Sequence, residues 1–317
     1  MDAENIGYIV LAHGDMPQLK RLLGALDRHS PKFVHVDAKY TASLPDISEY
    51  NAEYVEPRGI GYWGSISLVD LTRSSMKQAL RNTNIERLVL LSGSCFPIES
   101  PENIRMFFQS NQGKEYIDYF FVKDGSVKYQ NKMNKYWIPD DIYMWLRPLF
   151  GDKCVKYLAR LSTRAANIFL PLRKPSIAYN VAFGSQWWAL TRESAEHVVD
   201  VLDGDKELRR AFKYTLAPDE MYIHTIVSNS PFSENIYGSR SFEGGGTFRK
   251  ANLHFINEDL AKFCTLNDLN DVLASGKLFV RKVRSRDGVE LCRALQARHV
   301  NAGATYPSEA GDASAGG

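Results

Sequence analysis

Two adjacent acids, Asp219 and Glu220, follow Pro218 in a segment that predicts the start of a helix. Proline suits the first helical position, because the backbone N–H that it lacks would be unpaired there. The helix dipole stabilises negative charge in this turn, so an acid held there stays ionised near neutral pH and could act as a general base. Acids in a first turn are also ordinary capping residues, so the segment predicts either a catalytic carboxylate or a capped helix.

The elements before this segment predict a nucleotide-binding α/β unit. A buried strand covers Ile6 to Ala12, an amphipathic helix carries Leu19 to Leu26, and a second buried strand ends at Asp37. Such a sequence of elements forms a right-handed βαβ unit. Ligands of parallel sheets bind at the carboxyl ends of the strands, so the site is expected at that edge.

The rest of the chain alternates between strands and helices. Strands are predicted at 87–93, 116–121, 184–190 and 278–283, and helices at 68–80, 101–108, 192–202, 218–228 and 265–273. A glycine-rich stretch at 237–252 suits a mobile loop over a ligand. We expect one domain over residues 1–300 and a disordered, Ala/Gly/Ser-rich tail over residues 301–317.

Composition limits the class of protein. The chain has 317 residues, 44% of them hydrophobic, and a net charge of +2, so it can bury a sizeable core and gives no reason to expect nucleic acid. There is no GxGxxG or Walker motif, which excludes those two phosphate-binding loops. The cysteines lack metal-ligand spacing and predict reduced thiols. Without a signal peptide or a long apolar run, a cytoplasmic protein is expected.

Seven motifs occur in a fixed order along the chain. They are Ile9-Val10-Leu11-Ala12-His13, Val34-His35-Val36-Asp37-Ala38-Lys39, Trp63-Gly64 with Ser67-Leu68-Val69, Leu91-Ser92-Gly93-Ser94-Cys95-Phe96-Pro97-Ile98, Gly184-Ser185-Gln186-Trp187-Trp188, Pro218-Asp219-Glu220 and Leu278-Phe279-Val280-Arg281-Lys282. Together they resemble glycosyltransferase family 14, which holds the core-2/I-branching β-1,6-N-acetylglucosaminyltransferases and the peptide O-xylosyltransferases. The lack of a Golgi anchor and of paired cysteines suggests a soluble member of the bacterial type.

The resemblance implies an α/β, GT-A-like fold with a central mixed, mostly parallel sheet flanked by helices. It also implies a UDP-sugar donor, inversion at the anomeric carbon and no metal. The nucleotide-binding half would be 1–120, and the acceptor-binding and catalytic half 121–300. Metal-using relatives of this fold place a DxD motif at a strand end. The corresponding place near Asp118 offers one acid, and Asp203-Gly204-Asp205 follows a helix and predicts a turn.

Catalytic roles carry over from the matched motifs. Glu220 matches the family's base, which takes the proton of the acceptor hydroxyl. Lys282 matches the motif lysine that neutralises the departing UDP, unless it belongs to a solvated basic cluster. A second cation falls on Lys262 if a small gap is allowed, with Arg281 and Arg249 as alternatives.

Two neighbours of Glu220 could either assist the predicted base or have purely structural roles. Asp219 is expected to be a cap or a group behind Glu220. His224 lies one helical turn beyond Glu220 and could either orient it or pack in the core.

The donor would be bound by residues of the first half. Asp37 ends a strand and could accept from uracil N3–H or the ribose hydroxyls, or could cap a helix. The other donor residues are expected to be His13, Arg58, Trp63, Gly64, Ser92 and Gly93, with the last two beneath the sugar.

The acceptor is expected to meet a second group of residues. Trp187 and Trp188 could form an aromatic platform for a sugar ring, or could be core, because alternate strand residues face opposite sides. Ser185 and Cys95 are further candidates, and Cys95 stands where relatives often carry Asp or Tyr.

The segment 145–174 is strongly basic. It holds Arg147, Lys153, Lys156, Arg160, Arg164, Arg173 and Lys174 against the single acid Asp152. Its apolar residues fall roughly on one helical face, which predicts peripheral contact with an anionic membrane, a patch for an anionic acceptor, or a solvated helix face.

The sequence therefore predicts an inverting, metal-independent transferase that moves N-acetylglucosamine or xylose from a UDP-sugar to a glycan or lipid-linked glycan. We expect it in the cytoplasm or on the inner face of the membrane, in the synthesis of surface polysaccharide or lipid-linked oligosaccharide. Two alternatives are a carbohydrate- or nucleotide-sugar-binding protein without turnover, and a glycoside hydrolase using Asp219 and Glu220.

Overall fold

The computed structural model describes residues 5–173, 175, 177–238, 241–242, 244 and 251–303. In chain order the strands are β1 (Ile6–Ala12), β2 (Lys32–Val36), β3 (Ala52–Tyr54), β4 (Arg87–Ser92), β5 (Cys95–Pro97), β6 (Tyr119–Phe121), β7 (Ala182–Gly184), β8 (Ala189–Thr191), β9 (His254–Ile256) and β10 (Phe279–Arg281). The helices are α1 (Met16–Ala25), α2 (Ser67–Ala79), α3 (Pro101–Gln109), α4 (Val127–Asn134), α5 (Arg147–Phe169), α6 (Arg192–Gly204), α7 (Lys206–Phe212), α8 (Tyr222–Ser228), α9 (Leu269–Ala274) and α10 (Val289–Gly303).

The central sheet has the strand order β3-β2-β1-β4-β8. β1 pairs in parallel with β2 and β4, β2 pairs in parallel with β3, and β8 closes the edge antiparallel to β4. All residues of β1, β2 and β4 are buried, which explains the long apolar runs of β1 and β4, whereas β2 also buries Lys32 and His35. The predicted α/β class, with a mixed and mostly parallel sheet flanked by helices, is confirmed.

The first helices begin where their capping residues predict. The Asp15 side chain accepts from the Gln18 N–H at the start of α1, and Ser100 accepts from the Asn103 N–H at the start of α3. Both helices have proline in the first turn, where its missing N–H costs nothing. The apolar face of α1 is buried against the sheet, so the short β1–α1 turn is held at the carboxyl end of β1.

A smaller sheet completes that edge of the molecule. β10 lies between β5, with which it is antiparallel, and β9, with which it is parallel. Its buried residue Val280 packs with Phe96 of β5 and with Leu291 and Leu295 of α10. Helix α10 was not predicted from the sequence, and its backbone continues to Gly303, beyond the predicted domain boundary at residue 300.

Two predicted elements are divided in the structure. The segment 184–190 is not one strand, because β7 ends at Gly184 in a pair with β6, while β8 begins at Ala189 and joins the central sheet. The segment 218–228 is not one helix: Pro218–Glu220 is a 3₁₀ turn, and Met221, with φ of −136°, separates it from α8. Both divisions lie beside the cavity described below.

Asp203-Gly204-Asp205 does not form the predicted turn after the helix, because α6 continues through Gly204 and Asp205 alone separates α6 from α7. Asp203 pairs with Arg73 and Lys77 of α2, and Asp205 caps α7 by accepting from the Leu208 N–H. Within the described ranges, no group of three or more His, Cys, Asp or Glu side chains could hold a metal ion, and no helix is long and apolar enough to cross a membrane.

Candidate active site

A cavity of about 260 Å³ opens at the carboxyl ends of β1, β2 and β4. Its polar lining comes from four parts of the chain: the ends of these strands, the link between β7 and β8, the 3₁₀ turn, and β10 with the residue after it. The lining residues are Leu11, Ala12, His13, His35, Asp37, Trp63, Leu68, Leu71, Ser92, Ser185, Gln186, Trp187, Asp219, Glu220, Ile256, Leu260, Arg281 and Lys282. The cavity lies where parallel sheets bind ligands.

Gly64 holds the turn that carries the two acids. The turn follows Ala217, whose left-handed backbone (φ 56°) costs an alanine roughly 1 kcal/mol. The Ala217 N–H donates to the Gly64 carbonyl at 3.3 Å. A Cβ on Gly64 (φ 73°) would lie 3.1 Å from Nε1 of Trp137 and 3.2 Å from Leu216. Gly64 therefore does not line the cavity as predicted. Its carbonyl instead accepts the hydrogen bond that holds Ala217 at the start of the turn.

Glu220 forms an ion pair that the sequence analysis did not foresee. Its Oε2 lies 3.2 Å from Nζ of Lys132 on α4, and that ammonium lies 4.8 Å from the centroid of the Phe183 ring. Burial raises the pKa of Glu220, and Lys132 opposes that rise. The expectation that the first turn of a helix keeps Glu220 ionised is therefore wrong, because Glu220 lies in a separate buried turn and its charge is balanced by Lys132.

Asp219 lines the cavity beside Glu220. Burial and the neighbouring Glu220 charge raise the pKa of Asp219 to about 7. Its Oδ1 is buried and has no hydrogen-bond partner in the part of the chain that the structure describes. Its side chain caps neither the 3₁₀ turn nor α8, so the capping interpretation fails.

His224 is a packed core residue, one of its two predicted alternatives. It is 1% exposed, and a Cβ on Gly184 would lie 2.7 Å from its ring. Burial lowers the pKa of His224 to about 3, so the imidazole is neutral. It does not line the cavity.

Arg281 and Lys282 supply the positive charge of the cavity. Arg281 donates from Nη1 to the Ser92 hydroxyl at 2.9 Å, and its guanidinium carbon lies 4.4 Å from the centroid of the Trp187 ring. Lys282 donates to the Leu260 carbonyl at 2.7 Å. Burial lowers the pKa of both groups. Lys282 is thus held in the wall of the cavity and is not one of a solvated cluster.

Lys262 does not reach the cavity, so its assignment as the second cation is corrected. Its ammonium pairs with Asp268, whose carboxylate also accepts from the Thr265 N–H at the start of the turn leading into α9. Arg281, predicted as an alternative, occupies the cavity instead. Arg249, the other alternative, lies outside the described residues.

Asp37 organises the wall opposite β10. Its Oδ1 accepts from the Lys39 N–H at 2.8 Å and its Oδ2 from the Gly61 N–H at 3.1 Å. The Asp37 oxygen Oδ2 also lies 3.6 Å from Nδ1 of His13. A turn follows β2 here, so the helix-capping alternative for Asp37 does not apply.

His35 lines the same wall and was given no role from the sequence. Its Nε2 accepts from the Gly59 N–H at 3.0 Å, which requires a neutral ring with the proton on Nδ1. Burial lowers the pKa of His35, consistent with that state. Arg58 is absent from the lining, because its Nη1 donates to the Tyr40 carbonyl at 3.2 Å.

Of the two residues predicted to lie beneath the sugar, only one lines the cavity. Ser92 lines the cavity, whereas Gly93 packs β4 against β1: its N–H donates to the Leu11 carbonyl, and a Cβ there would lie 2.9 Å from that of Ala12. Cys95 is fully buried and its Sγ accepts from the Ser92 N–H at 3.3 Å. The predicted contacts of Gly93 and Cys95 with substrate are therefore not available.

The two tryptophans face opposite sides, as alternation along an extended chain requires. Trp187 lines the cavity together with Ser185 and Gln186, and Gln186 had not been singled out. Trp188 is 1% exposed within the main core, so its predicted acceptor contact is wrong.

The family model described as Core-2/I-Branching enzyme matches residues 6–241. The chain therefore belongs to the Core-2/I-branching enzyme family, a family of glycosyltransferases. Arg281 and Lys282 lie beyond the matched region, although they complete the cavity.

Curated relatives are similar over most of this chain. Xylosyltransferase 2 of Rattus norvegicus is 29% identical over 241 residues, which cover 73% of this chain and 25% of that protein. A xylosyltransferase of Ciona intestinalis is 26% identical over 268 residues, which cover 82% of this chain and 28% of that protein. The chain thus spans about a quarter of the length of these relatives.

Two solved structures show limited likeness. The apo form of mouse xyloside xylosyltransferase 1 is 9% identical, with a TM-score of 0.33 and coverage of 87% of this chain and 97% of that one. A cytidylyltransferase from Leptospira borgpetersenii is 18% identical, with a TM-score of 0.24 and coverage of 37% of this chain and 53% of that one.

Proposed function

We propose that this protein is an inverting, metal-independent glycosyltransferase. It moves a sugar, N-acetylglucosamine or xylose, from a UDP-sugar to a hydroxyl group of a glycan acceptor. One observation carries the proposal: the lysine-paired carboxylate of Glu220 and the two cations Arg281 and Lys282 line one cavity at the strand ends. Family membership and the xylosyltransferase relatives support the same class of reaction.

Glu220 is the proposed general base. In an inverting transfer the acceptor oxygen attacks the anomeric carbon while the bond from that carbon to the UDP oxygen breaks. One carboxylate suffices, because it has only to take the proton that the acceptor hydroxyl loses. The ion pair with Lys132 opposes the rise in the pKa of Glu220 that burial causes, which favours the charged form that a base needs.

Arg281 and Lys282 are the proposed partners of the departing diphosphate. Negative charge develops on the UDP oxygen as the sugar leaves, and fixed cations in a partly enclosed cavity stabilise that charge. Two protein cations at this position can perform the charge neutralisation for which other transferases use a divalent ion. Asp37 and His13 line the opposite wall, where they could meet the uracil or the ribose.

The proposed acceptor belongs to a surface polysaccharide or a lipid-linked oligosaccharide, with the protein peripheral on the inner face of the membrane. Its support is the surface between residues 142 and 172, which has many exposed large apolar side chains among cations. They are Ile142, Trp145, Leu149, Phe150, Tyr157, Leu161, Ile168, Phe169, Leu170 and Leu172.

The test is UDP release from a panel of UDP-sugars in excess EDTA, without acceptor. We expect release from one preferred donor, unchanged by EDTA and reduced about 100-fold or more in Glu220→Gln. Glu234→Gln, at an exposed glutamate outside the cavity, is the matched control and should retain the wild-type rate.

Each part of the proposal can fail separately. A full rate in Glu220→Gln would remove the assigned base. Loss of release in EDTA would show that a metal ion is needed. Hydrolysis of neutral glycosides without any response to UDP would favour the glycosidase instead.

A further inference from the structure

A second cavity, of about 440 Å³, lies beside the first and shares Trp63 with it. Trp63 is 75% exposed and meets Trp137 edge to face, with ring centroids 5.8 Å apart. The remaining wall is α5, which contributes Lys156, Arg160 and Arg164. Lys156, Arg160 and Arg164 have no role in the chemistry proposed above, and Trp63 has one only as a predicted donor contact.

The three cations form a row along the cavity. They are spaced four residues apart, so they lie on one face of α5, and all three are exposed. Within the described ranges none of them forms an ion pair. Cations on other helices do pair, for example Arg192 with Glu196 and Arg209 with Asp70. The only acid in this lining is Asp140, so positive charge prevails.

We propose that this second cavity is an acceptor subsite for an anionic glycan, an inference that rests on the proposed transferase function. The exposed indole of Trp63, beside the half-buried Trp137, offers apolar surface for a sugar ring, as ligand cavities usually do. The three cations then hold a negative group on the same or the next sugar unit. A glycan lying across Trp63 would place its attacking hydroxyl in the first cavity, near Glu220.

The negative group is either a phosphate that links the glycan to a carrier or the carboxylate of a uronic acid. Both groups carry negative charge next to a sugar ring, so the three cations favour a glycan with either group over a neutral glycan. A lipid surface is the competing occupant of these cations, because apolar residues of α5 are exposed nearby.

The first experiment titrates tryptophan fluorescence with two matched pairs of probes. Chitobiose 1-phosphate is compared with chitobiose, and glucuronosyl-N-acetylglucosamine with N-acetyllactosamine. We expect each anionic probe to bind about tenfold more tightly than its neutral partner at low salt. Preference for the phosphate or for the carboxylate identifies the source of the charge. Equal affinity within both pairs would overturn the inference.

The second experiment tests the cations directly. The double variant Lys156→Gln/Arg160→Gln should lose most of the preference for anionic probes. Lys153→Gln, at an exposed lysine of α5 that lines neither cavity, should keep it. If the double variant binds the glycans as the wild type does but loses binding to phosphatidylglycerol vesicles, the cations serve a membrane and the subsite inference is wrong.

UDP binding separates this inference from the proposed function. UDP occupies the first cavity in our proposal, and neither Lys156 nor Arg160 lines it. A wild-type protein that fails to bind UDP contradicts the donor site, whatever the glycan titration shows. A protein that binds UDP but does not distinguish charged from neutral glycans contradicts the subsite alone.

Discussion

The proposed role of Glu220 sets two conditions that usually conflict, because a base must be charged whereas burial favours the neutral form. Lys132 opposes the effect of burial from 3.2 Å away, on a helix 88 residues earlier in the chain. The ion pair is itself largely screened from water, with 14% of the Lys132 side chain and 24% of the Glu220 side chain exposed. Lys132 is therefore a positioning residue whose effect should be visible in the pH dependence of the reaction.

Replacing Lys132 by glutamine should move the acidic limb of the kcat/KM profile to higher pH. Without the ammonium, burial acts unopposed and raises the pKa of Glu220 further. The rate at neutral pH falls and recovers in alkaline buffer. Lys128→Gln, at an exposed lysine of α4, is the control. A uniform loss of rate with an unshifted limb would mean that Lys132 acts in another way.

Asp219 should make the protein less stable as pH rises. Its pKa is about 7 in the folded protein and about 3.9 in the unfolded chain, so between these values the folded state binds more protons. The free energy of unfolding therefore falls as pH increases from about 4 to 7. Asp219→Asn should show a smaller decline in Tm between pH 5 and pH 8 than the wild type does. Parallel declines in the two proteins would contradict the assignment.

Individual site residues were predictable where a motif also fixes the side-chain direction. Glu220, Lys282 and Asp37 line the cavity as the resemblance implies. Lys262 does not, because the nearby acid Asp268 attracts its ammonium, and no motif specifies that pair. The adjacent tryptophans could not be distinguished from sequence, since which of them faces the core depends on where β8 joins the sheet. Lys132 is distant in sequence and in no motif, so only the fold reveals it.

At the scale of elements, the 3₁₀ turn is positioned by its contact with Gly64. Gly64→Ala should lower the free energy of unfolding by about 2–3 kcal/mol, from the left-handed backbone together with the crowding against Trp137 and Leu216. The rate of sugar transfer should also fall, because Ala217 and the acids that follow it would shift.

Gly113→Ala separates the cost of the left-handed backbone from the cost of crowding. Gly113 has nearly the same backbone angle (φ 72°), but no atom lies within 4 Å of the position of its added Cβ. Chemical denaturation should therefore show a loss of about 1 kcal/mol for this variant, with no change in transfer rate. Equal effects of the two substitutions would mean that the contacts of Gly64 do not matter.

The central parallel strands β1, β2 and β4 were the most predictable elements, because both of their faces are buried and most of their residues are apolar. The link between β7 and β8 could not be predicted. Every residue from Gly184 to Leu190 is compatible with extended structure, yet Gly184 and Ala189 belong to different sheets. The change of sheet depends on partners that are distant in sequence. The 3₁₀ turn was predicted to be the start of an α-helix, because the sequence Pro-Asp-Glu suits the first turn of both kinds of helix.

For the whole molecule, the exposed apolar surface of α5 predicts binding to anionic vesicles. Ile168 and Phe169 are 73% and 83% exposed, so Ile168→Asp/Phe169→Asp should reduce flotation with phosphatidylglycerol vesicles about tenfold while leaving the fold intact. Met106→Asp, on the exposed side of α3, is the control and should float like the wild type. Absence of flotation in the wild type would remove membrane contact from the proposal.

The position of β10 between β5 and β9 has a consequence for synthesis on the ribosome. Strands β1 to β4 end at Ser92, yet the two cations that line the cavity together with Glu220 are translated nearly 190 residues later. A nascent chain that has emerged as far as residue 241 holds the entire region matched by the family and still lacks both cations. Contacts between such distant residues form late in folding. Affinity for UDP should therefore be acquired only after Arg281 and Lys282 have been translated and have left the ribosome.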